Sequence, residues 1–221
     1  MNVTYSGPED LPELIPVFPL SGALLLPRGQ MPLNIFEPRY LAMIDSALAG
    51  ARVIGMVQPQ VESPEGDAPP RLFSIGCAGR IVQFAETGDG RYLVSLTGIA
   101  RFLIISEPPS RTPYRMCRVS FTPFSGDLQP RAGETEVDRA AVLSTLRAYT
   151  EATGVRMDWD GVEQTPNEAL VNALSMMAPF GVREKQALLE APDLKTRAET
   201  LVALTEIELA KTGSGTQTTL Q

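Results

Sequence analysis

The residues from Leu72 to Ile105, LFSIGCAGRIVQFAETGDGRYLVSLTGIARFLII, constrain the architecture more than any other part of the chain. They predict two long strands joined by a hairpin turn, because the Asp89-Gly90 pair accepts the positive φ angles that tight turns need. Gly76 and Gly79 lie inside the first strand, where the apolar phase shifts, which indicates a bulge or a sharp bend. Long strands with glycine-marked bends favour a curled sheet over a flat one.

Shorter strands and one helix are predicted on either side of this hairpin. The additional predicted strands are residues 14–20, 33–36, 52–57 and 114–121. Prolines in the first of these strands confine it to a sheet edge or a strand end. Pro38 follows the second strand and suits the first turn of a helix, where its missing N–H costs nothing.

Helical patterns replace strand alternation after Gly126. The predicted helices are residues 136–151, 165–177, 182–190 and a last one that begins at Asp193. Thr165 and Glu168 have the spacing of a capping box at the start of one helix. The sequence therefore predicts an α+β protein with a mostly antiparallel β domain at 13–125, one early helix, a helical subdomain at 126–211 and a disordered tail at 212–221.

Composition excludes several classes of function. The 221-residue chain has a net charge of −7 and a pI near 4.8, which argues against a nucleic-acid or anionic-membrane surface. No apolar run is long enough to span a bilayer, and the first residues lack a signal-peptide pattern, so we expect a cytoplasmic protein. The sequence has no histidine, which removes Ser-His and Cys-His nucleophile pairs. Cys77 and Cys117 occupy strand-like contexts and are interpreted as small core residues.

Motifs for catalysis, cofactors or metals are missing from the sequence. It contains neither a P-loop nor a Gly-x-Ser-x-Gly nucleophile elbow, and no cysteine pair has metal-ligand spacing. Glu62, Glu65 and Asp67 offer oxygen ligands for a hard cation, but in a proline-rich loop a solvated charge run is the favoured interpretation. We therefore predict no catalytic residue, no cofactor and no metal site.

A charged corner between the second strand and the early helix supplies most of the candidate ligand-binding residues. The candidates are Asn34, Phe36, Glu37, Arg39 and Tyr40, together with Arg80 and Arg101 in the hairpin. In a functional interpretation, Arg39 and Tyr40 offer a planar cation and an aromatic face to a peptide. In a structural interpretation, Glu37 caps the helix, Arg39 pairs with a carboxylate or carbonyl, and Tyr40 packs with a bonded hydroxyl. The structural interpretation is favoured, and a ligand-binding role stays open beside it.

Several stretches occur in the order found in one known family. They are residues 15–20 (IPVFPL), 26–27 (LP), 32–40 (PLNIFEPRY), 75–81 (IGCAGRI), 89–91 (DGR), 96–102 (LTGIARF) and 184–190 (EKQALLE). Together they span roughly residues 13 to 211. The chain resembles the N-terminal, LON substrate-binding domain of the Lon protease family, in the form found as a free-standing bacterial protein.

This resemblance implies a PUA-like, curled β pseudo-barrel followed by a helical bundle, and a role in recognising unfolded or tagged polypeptides. The full enzymes of the family continue into an ATPase module and a Ser-Lys protease module, for whose catalytic residues this sequence has no matching positions. We therefore expect a non-enzymatic polypeptide-recognition module that binds unfolded or tagged polypeptides and possibly a separate protease. A small carboxylate-dependent hydrolase is the first alternative. An RNA-binding protein, suggested by the PUA-like fold alone, is the second.

Overall fold

The computed structural model describes residues 4–60 and 69–215, with side chains as far as 211. Within these ranges the chain forms two compact units. The first contains residues up to Pro130 together with Phe180–Leu189, and the second contains Arg131–Pro179 and the residues from Glu190 onward. The acidic loop residues Glu62, Glu65 and Asp67 lie outside the described residues.

One six-stranded sheet dominates the first unit. Its strands are β1 (Leu14–Pro19), β2 (Gln30–Ile35), β3 (Val53–Val57), β4 (Ile75–Glu86), β5 (Tyr92–Ser106) and β6 (Arg115–Ser120). The strand order is β2-β5-β4-β3-β1-β6, and β5 also pairs with β6. This extra pairing closes all strands except β2 into a ring, so the predicted curled pseudo-barrel and the α+β class are confirmed. The pairing of β1 with β3 is parallel, while the other pairings are antiparallel.

The bend of β5 allows the ring to close. The first part of β5 pairs with β2, and its last part pairs with β6. Gly98 lies between the two parts, and its N–H donates to the Gly29 carbonyl at 2.8 Å. A Cβ at Gly98 would overlap the Leu26 carbonyl oxygen, so only glycine permits this close backbone approach. The β4–β5 register also shifts at Ala78/Gly79, which confirms the predicted irregularity in the first hairpin strand.

Apolar side chains fill the interior of the ring. Phe102 is fully buried and packs edge-on against Phe121, with 6.2 Å between ring centroids. Gly76 leaves space for this ring, because a Cβ there would lie 2.5 Å from the Phe102 Cζ atom. Cys77 and Cys117 are free thiols buried in the protein. The interpretation of both cysteines as core residues is therefore confirmed.

The prolines of β1 were predicted to lie at a sheet edge or a strand end. Pro19 does end the strand, whereas Pro16 lies within a strand that is interior to the sheet. This strand lies between β3 and β6 in the sheet. Residues Leu14 to Val17 pair with β6, whereas Val17 to Pro19 pair with β3, so the two ladders overlap only at Val17. Pro16 therefore needs no partner on the β3 side. An interior strand tolerates its prolines because each neighbour pairs with only part of it.

Two α-helices, besides short 3-10 turns at Pro8–Asp10 and Thr122–Leu128, belong to the described part of the first unit. Helix α1 (Pro38–Ala49) follows β2, and the later helix α5 (Val182–Glu190) contributes its residues up to Leu189. Buried hydrogen bonds tie α5 to the sheet: the Gln58 amide donates to Gln186 Oε1 at 3.1 Å, and the Gln186 amide donates to the Ile75 carbonyl at 3.2 Å. The observed division thus differs from the predicted helical subdomain at 126–211, which included this helix.

The second unit is helical. It contains α2 (Arg139–Thr153), α3 (Trp159–Gln164), α4 (Asn167–Met177) and α6 (Leu194–Gly215). Because α6 continues to Gly215, the first residues of the predicted disordered tail are helical, and residues 216–221 lie outside the described ranges. The predicted capping box is wrong. The Thr165 hydroxyl donates to the Gly161 carbonyl of α3, and Glu168 accepts the Arg131 N–H.

Candidate functional site

A shallow groove of about 610 Å³ lies over the free end of the long hairpin. Its walls come from β2, β5 and β4, which are adjacent in the sheet. The lining residues are Pro32, Leu33, Asn34, Gln83, Phe84, Ala85, Leu93, Val94 and Ser95. None of these residues carries a charge. We call this surface the β2 groove.

Strand alternation explains why the groove is both apolar and exposed. Leu93 pairs with Asn34 on one side and with Ala85 on the other, so these three side chains share one face of the sheet. That face is open, and Leu93 is 49% exposed. The neighbouring pair Leu33 and Val94 points to the opposite, buried face. The sheet therefore carries its core on one side and an uncharged surface on the other.

The outer edge of β2 is open for backbone pairing, because β2 is the terminal strand of the sheet in the described residues. The Gly98 N–H donates to Gly29, and backbone groups alternate in direction along an antiparallel pair. By this alternation Gln30, Pro32 and Asn34 point away from β5. Pro32 needs no partner there, which is the usual reason that an edge strand accepts a proline. On this side of β2, the backbone groups of Gln30 and Asn34 form no hydrogen bond with another described residue.

Large apolar side chains surround the groove. Phe36 is 62% exposed just after β2, and Val82 is 50% exposed on β4. The Arg91 guanidinium lies 5.9 Å from the centre of the Phe36 ring. The sequence analysis singled out Asn34 and Phe36 but missed Leu93. The sequence contained a signal for Leu93. Residues 92–96 alternate as a strand after the Asp89-Gly90 turn, so Leu93 and Val94 must point to opposite faces of the sheet, and only one of them can be buried.

The corner that follows β2 holds three more of the predicted site residues. Glu37 occupies the N-cap position of α1, but its carboxylate caps no backbone N–H. It accepts instead from Arg39 Nε at 2.9 Å, in a solvent-exposed ion pair. Tyr40 is buried against Phe18, with 4.3 Å between ring centroids. The predicted Arg39–carboxylate pair is therefore present. Glu37 lies at the helix start as predicted, but only its backbone carbonyl, and not its carboxylate, takes part in the cap.

The same corner borders a second, smaller cavity of about 160 Å³. It is lined by Pro19, Arg39, Tyr40, Pro59, Pro69, Pro70, Pro113, Tyr114 and Arg115. We call it the Tyr40 pocket. Burial raises the pKa of the Tyr40 hydroxyl, and the nearby Arg39 and Arg115 guanidiniums partly oppose this rise. The predicted hydrogen bond of the Tyr40 hydroxyl is absent among the described residues.

Arg80 and Arg101 have structural contacts inside the first unit. Arg80 donates to the Tyr5 hydroxyl at 3.0 Å and to the Ala51 carbonyl at 3.1 Å. Arg101 is only 3% exposed and forms a two-pronged ion pair with Asp127, both bonds at 2.8 Å. It also donates to the Leu189 carbonyl at 3.1 Å. We leave Arg101 out of the candidate site because a ligand cannot reach its guanidinium.

Buried carboxylates of the second unit are engaged in structural bonds. Glu134 accepts the backbone N–H of Glu168 at 3.1 Å and pairs with Arg131. These bonds, led by the one from Glu168, lower the pKa of the Glu134 carboxyl. A general acid needs a raised pKa, which is the opposite shift.

Among residues 4–60 and 69–215, no three histidine, cysteine or acidic side chains converge as metal ligands. The same ranges contain no helix with the length and apolar character that crossing a bilayer requires.

The described residues thus form a β pseudo-barrel whose terminal strand borders an uncharged, exposed surface. The chain belongs to the family of the ATP-dependent protease La (LON) substrate-binding domain, whose family model matches residues 14–206. That domain is a non-catalytic module of the protease family.

Relatives and solved structures agree with this assignment. Lon protease 2 of Myxococcus xanthus is 26% identical over 89% of this chain, and Lon protease 2 of Sorangium cellulosum is 28% identical over 86%. The chain spans about a quarter of the length of these relatives, since it covers 24% of each. The Lon N-terminal domain protein from Xanthomonas campestris has a TM-score of 0.60 and 22% identity, over 86% of this chain and 97% of that one. The N-terminal domain of Mycobacterium avium complex Lon protease has a TM-score of 0.63 and 20% identity, over 87% and 98%.

Proposed function

We propose that this chain is a non-enzymatic module that binds extended polypeptide segments along the open edge of β2. The observation that carries the proposal is the β2 groove, where the outer backbone groups of Gln30 and Asn34, which bond to no other described residue, border an exposed and uncharged apolar face. An incoming segment adds a strand to such an edge through main-chain hydrogen bonds, and its alternate side chains contact the face beside it. The description of the family as a substrate-binding domain supports the same role.

The groove chemistry indicates what kind of segment binds. Backbone bonds to Gln30 and Asn34 are independent of ligand sequence, while Leu93 favours an apolar ligand side chain. Charged segments gain nothing from a lining without ionised groups. A β2 of six residues accommodates a ligand stretch of about the same length. The bound segments are therefore short, extended and apolar, which are features that unfolded polypeptides display and folded proteins bury.

The groove offers no arrangement for hydrolysis. Ser95 is its only hydroxyl among the lining residues, and neither a carboxylate nor a lysine lines it. The Tyr40 pocket likewise has no lining carboxylate. The carboxylate-dependent hydrolase thus has no observation in its favour. RNA binding has none either, because the groove lacks cations and the chain carries a net charge of −7.

A titration with an unfolded polypeptide tests the proposal. ¹⁵N-labelled protein is titrated with reduced and carboxymethylated α-lactalbumin while backbone amide signals are followed. We expect shifts at Gln30, Asn34 and Leu93. Leu93→Ser should weaken binding about fivefold, because it removes roughly half of the ~2 kcal/mol that full burial of a leucine contributes.

Ile105→Ser is the matched control for this variant. Ile105 lies on the same strand and is 56% exposed, but it is remote from the groove lining. It should bind like the parent protein. Equal weakening in both variants, or no amide shift at high micromolar polypeptide, contradicts the assigned surface. Mass spectrometry of the polypeptide after incubation checks the non-enzymatic role, which any cleavage abolished by a single substitution would overturn.

We further infer that the bound polypeptides are clients of an ATP-dependent protease of the Lon type. The support is the family description and the likeness to Lon N-terminal domains. Clients recovered by crosslinking in the native host should accumulate when the Lon-type protease is depleted. Unchanged levels of those clients would contradict this part of the proposal. The cytoplasmic location expected from the sequence stays a prediction.

A further inference from the structure

Backbone hydrogen-bond donors are scarce around the Tyr40 pocket. Five of its lining residues are prolines, which have no backbone N–H to offer. Donors toward the pocket must therefore come largely from side chains. Tyr40 is 93% buried, since only 7% of it is exposed, and no described residue forms a hydrogen bond with its hydroxyl. The Tyr40 hydroxyl is therefore available as a donor to a molecule in the pocket.

Two guanidiniums lie near the Tyr40 side chain. The Arg39 guanidinium lies over the Tyr40 ring, 4.5 Å from its centroid, and Arg115 lines the same pocket. Arg115 is fixed by a two-pronged pair with Glu107, at 2.7 and 2.5 Å, and by a bond of 2.7 Å to the Pro70 carbonyl. Arg39 is paired with Glu37. Both cations act electrostatically on the Tyr40 hydroxyl. Because burial raises the pKa of Tyr40, the hydroxyl keeps its proton at neutral pH and is able to donate it in a hydrogen bond.

The balance of charge limits the ligand. Each guanidinium already faces one carboxylate, so the pocket does not carry the surplus positive charge that a dianion such as phosphate would need. The pocket also lies at the amino end of α1, where the helix dipole favours negative charge. Its volume of about 160 Å³ is that of about five waters at ~30 Å³ each. These limits fit a single small monoanionic acceptor.

We propose that the Tyr40 pocket is a carboxylate-binding subsite, in which the Tyr40 hydroxyl donates to one carboxylate oxygen beside the ion-paired guanidiniums of Arg39 and Arg115. The carboxylate belongs either to the end of a polypeptide chain or to an acidic side chain. The subsite is separate from the β2 groove, and its test does not depend on polypeptide binding there.

Small carboxylates distinguish these sources. The Nε–Hε signals of Arg39 and Arg115 are followed by NMR during titration with N-acetylglycine, which carries a terminal carboxylate. N-acetylaspartic acid α-amide offers only a side-chain carboxylate, and N-acetylglycinamide offers none. We expect saturable shifts with at least one of the two acids and at least tenfold weaker binding of the amide. The acid that binds more tightly identifies the source.

Tyr40→Phe removes the donor while keeping the ring. It should weaken binding of the acid about tenfold, as expected for a hydrogen bond to a charged group. Its stability in urea should match that of the parent, because the hydroxyl forms no hydrogen bond with a described residue. Tyr149→Phe, in the second unit, is the control and should leave both properties unchanged. Equal binding of acid and amide, an absence of saturable shifts, or unchanged affinity in Tyr40→Phe would overturn the proposal.

Discussion

Replacing Asp127 with asparagine tests whether Arg101 serves the fold or a ligand. The carboxylate accepts from Arg101 Nε and Nη2 at 2.8 Å each, and from the Arg101 backbone N–H at 2.9 Å. The guanidinium also lies 4.7 Å from the centre of the Phe124 ring. The two side chains are only 4% and 10% exposed. Asp127→Asn therefore leaves a buried cation without its counter-charge.

The expected loss of unfolding free energy in Asp127→Asn is large compared with the total stability of a typical domain. Breaking one partner of a buried ion pair costs about 3–5 kcal/mol, against a total of about 5–15 kcal/mol. We expect a loss near the lower figure, roughly 3 kcal/mol, because an asparagine oxygen placed where Asp127 Oδ2 lies still accepts two of the three hydrogen bonds. Glu37→Gln breaks the exposed pair with Arg39 and should cost at most about 1 kcal/mol.

Urea unfolding followed by circular dichroism measures both losses. Amide hydrogen exchange then shows which of the two compact units has lost stability, because it reports on each unit separately. The loss for Asp127→Asn should appear in the first unit. The double variant Arg101→Met with Asp127→Leu should recover most of it, since apolar replacement of both partners leaves no unpaired charge. A loss below about 1 kcal/mol for Asp127→Asn, equal to that of Glu37→Gln, would refute the structural assignment of Arg101.

Three further predictions follow from local features of the two units. Gly98→Ala should lower the free energy of unfolding by about 1–3 kcal/mol, since its Cβ forces the Leu26 carbonyl to move; an unchanged urea midpoint would contradict this close approach. Glu134 has a lowered folded pKa, so its contribution is present above the unfolded pKa and is lost as the pH falls through the folded pKa. Glu134→Gln should therefore flatten the acid side of the stability curve, and an unaltered acid slope would argue against the Glu168 bond. Burial raises the pKa of Cys117 to about 11, so iodoacetamide at pH 8 should label it only after unfolding, as read by mass spectrometry. Rapid labelling of the native protein would show that this core opens.

Patterns within one segment were predicted well from the sequence. The hairpin turn at Asp89-Gly90 and the alternation around it gave β4 and β5, and the glycine-marked shift gave the bulge near Gly79. The start of α1 at Pro38 also followed from local backbone restriction. The short helix α3 was missed, because six residues are too few to show a helical period.

Errors arose where the partner of a residue is distant in the chain. The sequence gives no sign that Asp127, 26 residues on, fixes Arg101, or that the Leu189 carbonyl, 88 residues on, accepts from it. The capping box failed for a related reason. Glu168 satisfies the N–H of Arg131, 37 residues earlier, instead of its own helix start.

The amino-acid order alone determined the strands, the hairpin, most helices and the family, because turn chemistry and side-chain periodicity act over a few neighbouring residues. Tertiary structure decided that β2 rather than β1 is the open edge, that Leu93 faces solvent beside it, and that the Tyr40 hydroxyl bonds to none of the described residues. Each of these properties depends on which distant segment of the chain packs next to the residue. That neighbour is fixed only when the whole sheet assembles and the β5–β6 pairing closes the ring.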